Sequence, residues 1–245
     1  MVDIHAHILP GLDDGSESLE ESLDMARLAV EEGITHMIAT SHGNFYDYTL
    51  QEYREAFRLV SDALEQERIP LRLHPGMEIF LNRHAIDGIR DGSLLPLGNT
   101  HTYLVEFDFG EDPRTVLTML ESLLRDEQAP DRTLILAHPE RYEFMLRDPD
   151  LAYYLRETWP RRLYLQTNAG SLAGRLGQAE QRLAWRFLQD GLIQLIATDA
   201  HDASFRPPAL QSLTQSLQRE YSETDCRIWL SENPSRVLKG RELII

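Results

Sequence analysis

The N-terminal stretch "DIHAHILPGLDDG", residues 3 to 15, sets His5 and His7 two apart and follows them with an aspartate pair, Asp13 and Asp14. On an extended chain that spacing turns both imidazoles to one side, as a shared metal ion requires. The spacing returns in "ATDAH", where Asp199 and His201 flank one alanine. Between these, single potential ligands close apolar runs: His42 in "ATSH", Glu78 in "GMEI", Glu106 in "LVEF" and His138 in "LAHP". An ionised carboxylate beside a core is costly unless it is paired or bound to metal. The candidates are five histidines and four carboxylates, one of the latter being Asp13 or Asp14, between which the local sequence does not choose. Nine donors without sulfur exceed the needs of one ion and suit two or three. Three divalent ions against four carboxylates leave about two positive charges, which favours a dianion such as a phosphate monoester. Arg141 in "HPERYEF" and Arg206 in "DASFRPP" lie just beyond ligand positions, where a guanidinium could grip phosphate oxygens in bidentate fashion. His36, His74, His84 and His101 fall in or near the starts of apolar runs or in a helix or loop, and are read as structural.

The elements that must position these residues are legible as short apolar, β-branched runs at 2–5, 35–40, 70–79, 100–107, 132–139, 162–168 and 192–201. Helical patterns lie between them. In "SLEESLDMARLAVEEG" the residues Leu19, Leu23, Ala26 and Val30 share a face, Ser18 and Glu21 form a capping box and Gly33 suits the end. In "TLQEYREAFRLVSDALEQ" the stripe is Leu50, Tyr53, Phe57, Val60 and Leu64, capped by Thr49 and Glu52. Alternating strands and helices, with strands too apolar to face water, predict a parallel α/β architecture. Seven units in 245 residues predict a single domain over residues 1–245, a closed or nearly closed (β/α)7 barrel. Strand C-termini of such a barrel share one rim, so one periodicity accounts for both fold and site. An open doubly wound sheet is the structural alternative, but no G-x-G-x-x-G fingerprint or P-loop follows any run.

A net charge of −16, from 24 basic and 40 acidic residues, disfavours nucleic acid as a partner. No run is long and apolar enough for membrane insertion, and no secretory leader pattern is present, so a cytoplasmic location is expected. The one cysteine, Cys226, excludes an internal disulfide and any thiolate-based zinc site. It also cannot serve a C-x5-R phosphatase mechanism, because the residue six beyond it is Glu232. The one lysine, Lys239, lies past all seven runs and cannot be the modified lysine that bridges two ions in some metal-dependent amidohydrolases.

The ordered set "DIHAHILPGLDDG", "ATSH", "GMEI", "LVEF", "LAHPERY", "ATDAH" and "RPP" resembles the polymerase and histidinol phosphatase (PHP) superfamily. Within it, the chain is similar to the bacterial tyrosine-protein phosphatases encoded with capsule and exopolysaccharide genes, the CpsB/YwqE type. The likeness runs from residue 1 to the "NPSRVL" segment near 238. It implies a distorted (β/α)7 TIM-like barrel with a trinuclear site, usually manganese-preferring, though Fe, Zn, Co and Mg also suit such ligands. The implied ligands are His5, His7, Asp14, His42, Glu78, Glu106, His138, Asp199 and His201, with Arg141 and Arg206 on the phosphate. The resemblance thus selects Asp14 from the aspartate pair. The implied activity is metal-assisted hydrolysis of phosphotyrosine, without a phosphoenzyme, on the tyrosine-rich tail of a bacterial tyrosine kinase. The alternatives are another phosphoesterase of the superfamily, such as a histidinol phosphatase, or a non-catalytic metal-binding partner of the kinase. Two segments depart from the pattern: Ala6 stands where relatives often carry serine, and "GNFYDYTL" after His42 differs, which bears on substrate preference at the rim.

Overall fold

The computed structural model describes residues 1–245. Its strands are β1 (Val2–Ala6), β2 (His36–Ala39), β3 (Arg72–Pro75), β4 (Glu78–Phe80), β5 (Thr102–Glu106), β6 (Thr133–Ala137), β7 (Leu163–Asn168) and β8 (Leu195–Ala197). Every pairing is parallel, in the orders β1-β2-β3 and β4-β5-β6-β7-β8. Helices α1 (Leu19–Glu31), α2 (Leu50–Gln66), α3 (Arg83–Asp91), α4 (Pro113–Leu124), α5 (Glu143–Arg147), α6 (Asp150–Thr158), α7 (Ala169–Leu172) and α8 (Gln178–Gln189) lie between strands. Three short helices follow, α9 (Gln211–Leu217), α10 (Glu223–Arg227) and α11 (Asn233–Leu238). No helix is long and apolar enough to cross a membrane.

The strands are apolar because they are covered on both faces, β1 and β7 being buried along their whole lengths. One large hydrophobic cluster takes the face toward the helices, and a smaller one of 12 residues gathers the other face. On that second face the chain changes character along each strand. Leu104, Tyr164 and Ala197 belong to the small cluster, and two residues later, on the same side, stand Glu106, Gln166 and Asp199. A dry core thus passes into a polar site at the C-terminal strand ends.

The third apolar run, expected as one strand, is broken into β3 and β4 at Gly76–Met77, so the strands number eight. The Gly76 amide donates to the Tyr53 hydroxyl (2.9 Å) instead of to a neighbouring strand. A Cβ at Gly76 would lie 2.7 Å from the Ile38 side chain, so the close approach at the break needs glycine. The break transfers pairing from β2 to β5. The two sheets also meet at two seams. His42 bridges Glu78, and the Gly43 amide donates to the Glu78 carbonyl (2.8 Å). At the other seam Ala6 bridges Ala200, while the His7 amide donates to the Ala200 carbonyl and the Asp199 amide to the His5 carbonyl, each at 2.8 Å. Buried Asp3 latches this seam, accepting from the Thr198 amide (3.1 Å) and the Thr198 hydroxyl.

The helix caps follow the sequence with one difference. Thr49 and Glu52 form the full capping box of α2. At α1 Ser18 accepts from the Glu21 amide (3.2 Å), but the Glu21 carboxylate reaches back to the Glu17 amide (2.8 Å) instead of Ser18. The buried face of α1 is also rotated from the expected stripe, onto Ser22, Met25, Ala26 and Ala29. Ser22 can be buried because its hydroxyl bonds Ser16 Oγ (2.8 Å) and donates to the Ser18 carbonyl (3.1 Å).

Candidate metal centre

All nine residues of the expected ligand set converge at the C-terminal strand ends. His5 Nε2 and His7 Nε2 each approach Glu78 Oε2 and Asp199 Oδ1: His5 lies 3.2 Å from Glu78 and 3.3 Å from Asp199, and His7 lies 3.3 Å and 3.5 Å from the same oxygens. The two imidazole nitrogens are 3.3 Å apart. Donors about 2.1 Å from a common ion stand roughly 3.0–3.4 Å from one another, so these separations are those of ligands sharing a cation. His42 Nδ1 is 2.8 Å from Glu106 Oε1 and 3.3 Å from Glu78 Oε2, yet has no hydrogen-bond partner of acceptable geometry. Asp14 Oδ1 lies 3.4 Å from His42 Nε2 and 3.5 Å from His201 Nε2. His138 Nε2 stands 3.0 Å from Glu78 Oε1 and 3.7 Å from Glu106 Oε2. Three overlapping groups have the closeness a metal needs: His7, Asp14, His42 and His201; His5, His7 and Asp199; His42, Glu78 and Glu106. The donor set, nitrogen and oxygen only, fits divalent ions such as Mn²⁺, Fe²⁺ or Zn²⁺.

The charge states agree with that fit. Burial alone would neutralise Glu78 and Asp199, but the surrounding histidines, with Arg206 at Asp199, hold both carboxyls well below the usual range. Burial opposes a charge on His5, His7 and His42, yet the carboxylates win, raising all three and carrying His42 to about 10. Glu78 and Asp199 thus keep their negative charge in spite of burial, balanced by the imidazoles and the guanidinium around them. His138 and Asp199 also adopt left-handed φ values of +34° and +53°, uncommon for residues other than glycine. Both lie at strand ends where the chain must turn a donor into the cluster.

The aspartate pair divides its work. Asp14 faces His42 and His201, whereas Asp13 stands behind the cluster, its Oδ2 accepting from His7 Nδ1 (2.8 Å) and the His42 amide (2.9 Å), and its Oδ1 from the Gly15 amide (3.0 Å). Nδ1 of His7 is thereby occupied and only Nε2 is offered to an ion. A Cβ on Gly15 would sit 2.2 Å from the His7 carbonyl oxygen, so this turn admits only glycine. A second relay comes from β7, which supplies none of the nine donors. Gln166 Oε1 pairs with His5 Nδ1 (2.9 Å), Gln166 Nε2 donates to Asn168 Oδ1 (2.8 Å), and Asn168 Nδ2 donates to Asp199 Oδ2 (2.6 Å). The Asn168 amide in turn donates to buried Glu140 (3.0 Å). The ligand pattern of the sequence leaves Asp13 only as an alternative to Asp14 and does not single out Gln166 or Asn168. A signal was present, since two carboxamides sit two apart at the end of a wholly buried strand.

Asp199 is the junction between this cluster and the arginines. Its Oδ1 faces His5 and His7, while Oδ2 accepts from Arg206 (2.6 Å) and Arg141 (3.3 Å). Both guanidiniums line a cavity of about 210 Å3 above the cluster. The cavity walls are aromatic: Phe45 packs on Phe80 (5.4 Å between centroids) on one side, and Phe109, with Arg141 stacked on it at 4.4 Å, stands on the other. Phe45 is 61 % and Phe109 40 % exposed. The segment after His42 thus supplies a wall. His36 opens β2 and His74 lies within β3, the two bonded to each other (2.9 Å), and neither they nor His84 and His101 join the site.

A family model described as "Capsular polysaccharide synthesis, CpsB/CapC" matches residues 1–239. Tyrosine-protein phosphatase YwqE of Bacillus subtilis (strain 168) is 34 % identical over 245 residues, covering 99 % of this chain and 93 % of that protein. Tyrosine-protein phosphatase CpsB of Streptococcus pneumoniae is 24 % identical, covering 97 % and 98 %. A crystal structure from work on YwqE and CpsB, described as unique metal-dependent tyrosine phosphatases, superposes with a TM-score of 0.90 at 34 % identity, over 100 % of this chain and 96 % of that one. A lactonase from Listeria monocytogenes, at 11 % identity, 98 % and 95 % coverage and a TM-score of 0.59, shares the fold alone.

Proposed function

This chain belongs to the CpsB/CapC family of capsular polysaccharide synthesis proteins, and from that membership we propose that it is a metal-dependent protein-tyrosine phosphatase. The observation that carries the reading is an aromatic-walled cavity with two arginines at its edge and a carboxylate–histidine cluster at its base. Phosphate belongs with the arginines and a flat ring with the phenylalanines. The residues holding metal would be His5, His7, Asp14, His42, Glu78, Glu106, His138, Asp199 and His201. The three overlapping groups support three ions, with manganese favoured and iron, zinc, cobalt or magnesium accepted. When bound, such ions supply Lewis acidity, offset phosphate charge and lower the pKa of water toward neutrality.

The chain's own residues then have separate tasks. Arg141 and Arg206 hold equatorial phosphate oxygens by paired N–H donors, and their link to Asp199 Oδ2 keeps them extended over the cluster before substrate arrives. Asp13 and Gln166 fix the tautomers of His7 and His5. Phe45, Phe80 and Phe109 flank the departing ring and exclude water from it. A phenolate of pKa about 10 needs less protonation than an alkoxide, so the arrangement suits an aryl ester.

The same reading takes residues 1–245 as one PHP-type domain whose β3 and β4 are a single interrupted strand of a distorted (β/α)7 barrel, the two seams closing it. The substrate is a phosphotyrosyl protein, and we assign it to the tyrosine-rich tail of a bacterial tyrosine kinase governing capsule or exopolysaccharide synthesis, met in the cytoplasm. The test compares turnover of a phosphotyrosyl peptide and of histidinol phosphate by protein stripped with chelator and resupplied with Mn²⁺. The peptide is expected to be preferred, with Phe45→Ala and Phe109→Ala narrowing the gap. Preference for histidinol phosphate, or no hydrolysis with any divalent ion, refutes the assignment.

A further inference from the structure

Beside the aromatic-walled cavity lies a second one of about 260 Å3, and the two share Asp199 and Arg206. The Arg206 side chain is the partition between them. On the far side the walls are Arg175, Leu176, Phe205 and Pro207, over a floor at Asn168–Gly170.

Phe205 is 88 % exposed, the most exposed large hydrophobic residue of the chain. Its position does not come from a slack loop. Asp202 Oδ1 accepts from the Ser204 amide (2.6 Å), the Ser204 hydroxyl (3.0 Å) and the Phe205 amide, while Oδ2 accepts from the Arg206 amide (3.2 Å). The His201 amide closes the loop by donating to the Arg206 carbonyl (2.9 Å). Phe205 thus stands fixed at the wall of the second cavity, with most of its ring open to whatever enters there. Arg175 is exposed and forms no ion pair, in a chain whose acidic residues outnumber its basic ones by 40 to 24.

We infer that this second cavity receives the residue next to the phosphotyrosine in the protein substrate and selects an acidic one. The inference rests on the phosphatase reading of the adjoining site. A peptide whose tyrosine enters the first cavity puts its neighbouring Cα 3.8 Å along the chain, which leads over Arg206 into the second. There a Glu or Asp carboxylate meets Arg175, and its methylenes lie against Phe205 and Leu176. The acidic bulk of the protein repels such a peptide elsewhere, and Arg141, Arg175 and Arg206 concentrate positive charge along this one path.

The experiment uses the manganese-loaded full chain with free phosphotyrosine and two phosphotyrosyl peptides of equal length, bearing Glu or Gln on both sides of the phosphotyrosine. Wild type is expected to favour the Glu peptide about fivefold through KM, the effect of one well-aligned exposed guanidinium–carboxylate pair. Arg175→Gln should abolish that preference while leaving turnover of free phosphotyrosine unchanged. Phe205→Ser should raise KM for both peptides and not for the free amino acid. Equal KM values for the two peptides in wild type, or a preference that survives Arg175→Gln, overturns the inference while hydrolysis of free phosphotyrosine leaves the phosphatase reading standing. Failure to hydrolyse free phosphotyrosine sinks both.

Discussion

Replacing Asp13 by asparagine should weaken metal binding without removing a ligand. The wild-type carboxylate takes three donors, His7 Nδ1 and the His42 amide on Oδ2 and the Gly15 amide on Oδ1. Asparagine has one acceptor oxygen. If that oxygen takes the Oδ2 position, the new NH2 faces the Gly15 N–H across 3.0 Å, donor against donor. If the amide is turned over, two donors are opposed instead of one, so the first arrangement wins. His7 then keeps its orientation but leans on a neutral acceptor, about half as strong as the charged one. Loss of such an outer partner costs roughly 10–100-fold in metal affinity, which is about 1.4–2.7 kcal/mol. The assay is hydrolysis of p-nitrophenyl phosphate by chelator-stripped protein titrated with Mn²⁺. Asp13→Asn should shift half-saturation upward by that factor and recover to within about threefold of wild-type kcat at saturating metal. Asp14→Asn, which takes the negative charge from the one carboxylate of the group it shares with His7, His42 and His201, should not recover. An Mn²⁺ dependence identical to wild type in Asp13→Asn, or rescue of Asp14→Asn but not of Asp13→Asn, refutes the division of labour between the two aspartates.

Other perturbations separate roles in the same way. Arg206→Ala should raise KM for aryl phosphates about tenfold or more while leaving bound metal unchanged by elemental analysis, since the Arg206 side chain touches the cluster only through Asp199 Oδ2 and the substitution keeps the backbone carbonyl that holds the His201 amide. A drop in metal content would place Arg206 among the structural supports. Gln166→Leu should destabilise the chelated protein by about 1–3 kcal/mol in urea melts, because His5 Nδ1 and Asn168 Oδ1 lose buried partners, whereas Gln166→Glu keeps the acceptor for His5. Equal losses in the two variants would count against the relay. Burial, His36 and Arg72 depress His74 to about 4, below its value in the unfolded chain, so the folded protein binds fewer protons and stability falls as pH drops from about 6.5 toward 4. His74 is only half-buried, so solvent screening trims the contribution to about 1–2 kcal/mol, and His74→Asn should narrow the pH 7 to pH 4.5 stability gap by that amount. An unchanged gap in paired urea titrations refutes it.

What could be read from sequence follows from what the site demands. His5 with His7, and Asp199 with His201, were legible because a strand repeats its facing every second residue. Glu78 and Glu106 were legible because a carboxylate closing an apolar run has few explanations. The break between β3 and β4 was not, since it depends on Tyr53 from α2 taking the Gly76 amide and on the nearness of Ile38. Nor could "DD" be divided by its own letters: which aspartate faces outward depends on the His42 amide, twenty-nine residues away, seeking an acceptor. Phe45, Phe80 and Phe109 carry no signature as a wall, because each sits in a different connection or strand end and only the fold brings them to one cavity.

The latch between Asp3 and Thr198, with the Ala6–Ala200 bridge beside it, also sets a timetable. A nascent chain that has reached residue 190 already carries His5, His7, Asp14, His42, Glu78, Glu106 and His138, yet β1 has no partner on its open side and Asp199 and His201 have not been made. Strand pairing across nearly the whole sequence is the slow, late kind of contact. Complete metal capture therefore follows synthesis. Each captured ion then stabilises the closed chain by mass action, in proportion to the logarithm of its free concentration over its dissociation constant. The free concentration of divalent metal thus sets not only the occupancy of the site but the stability of the fold around it.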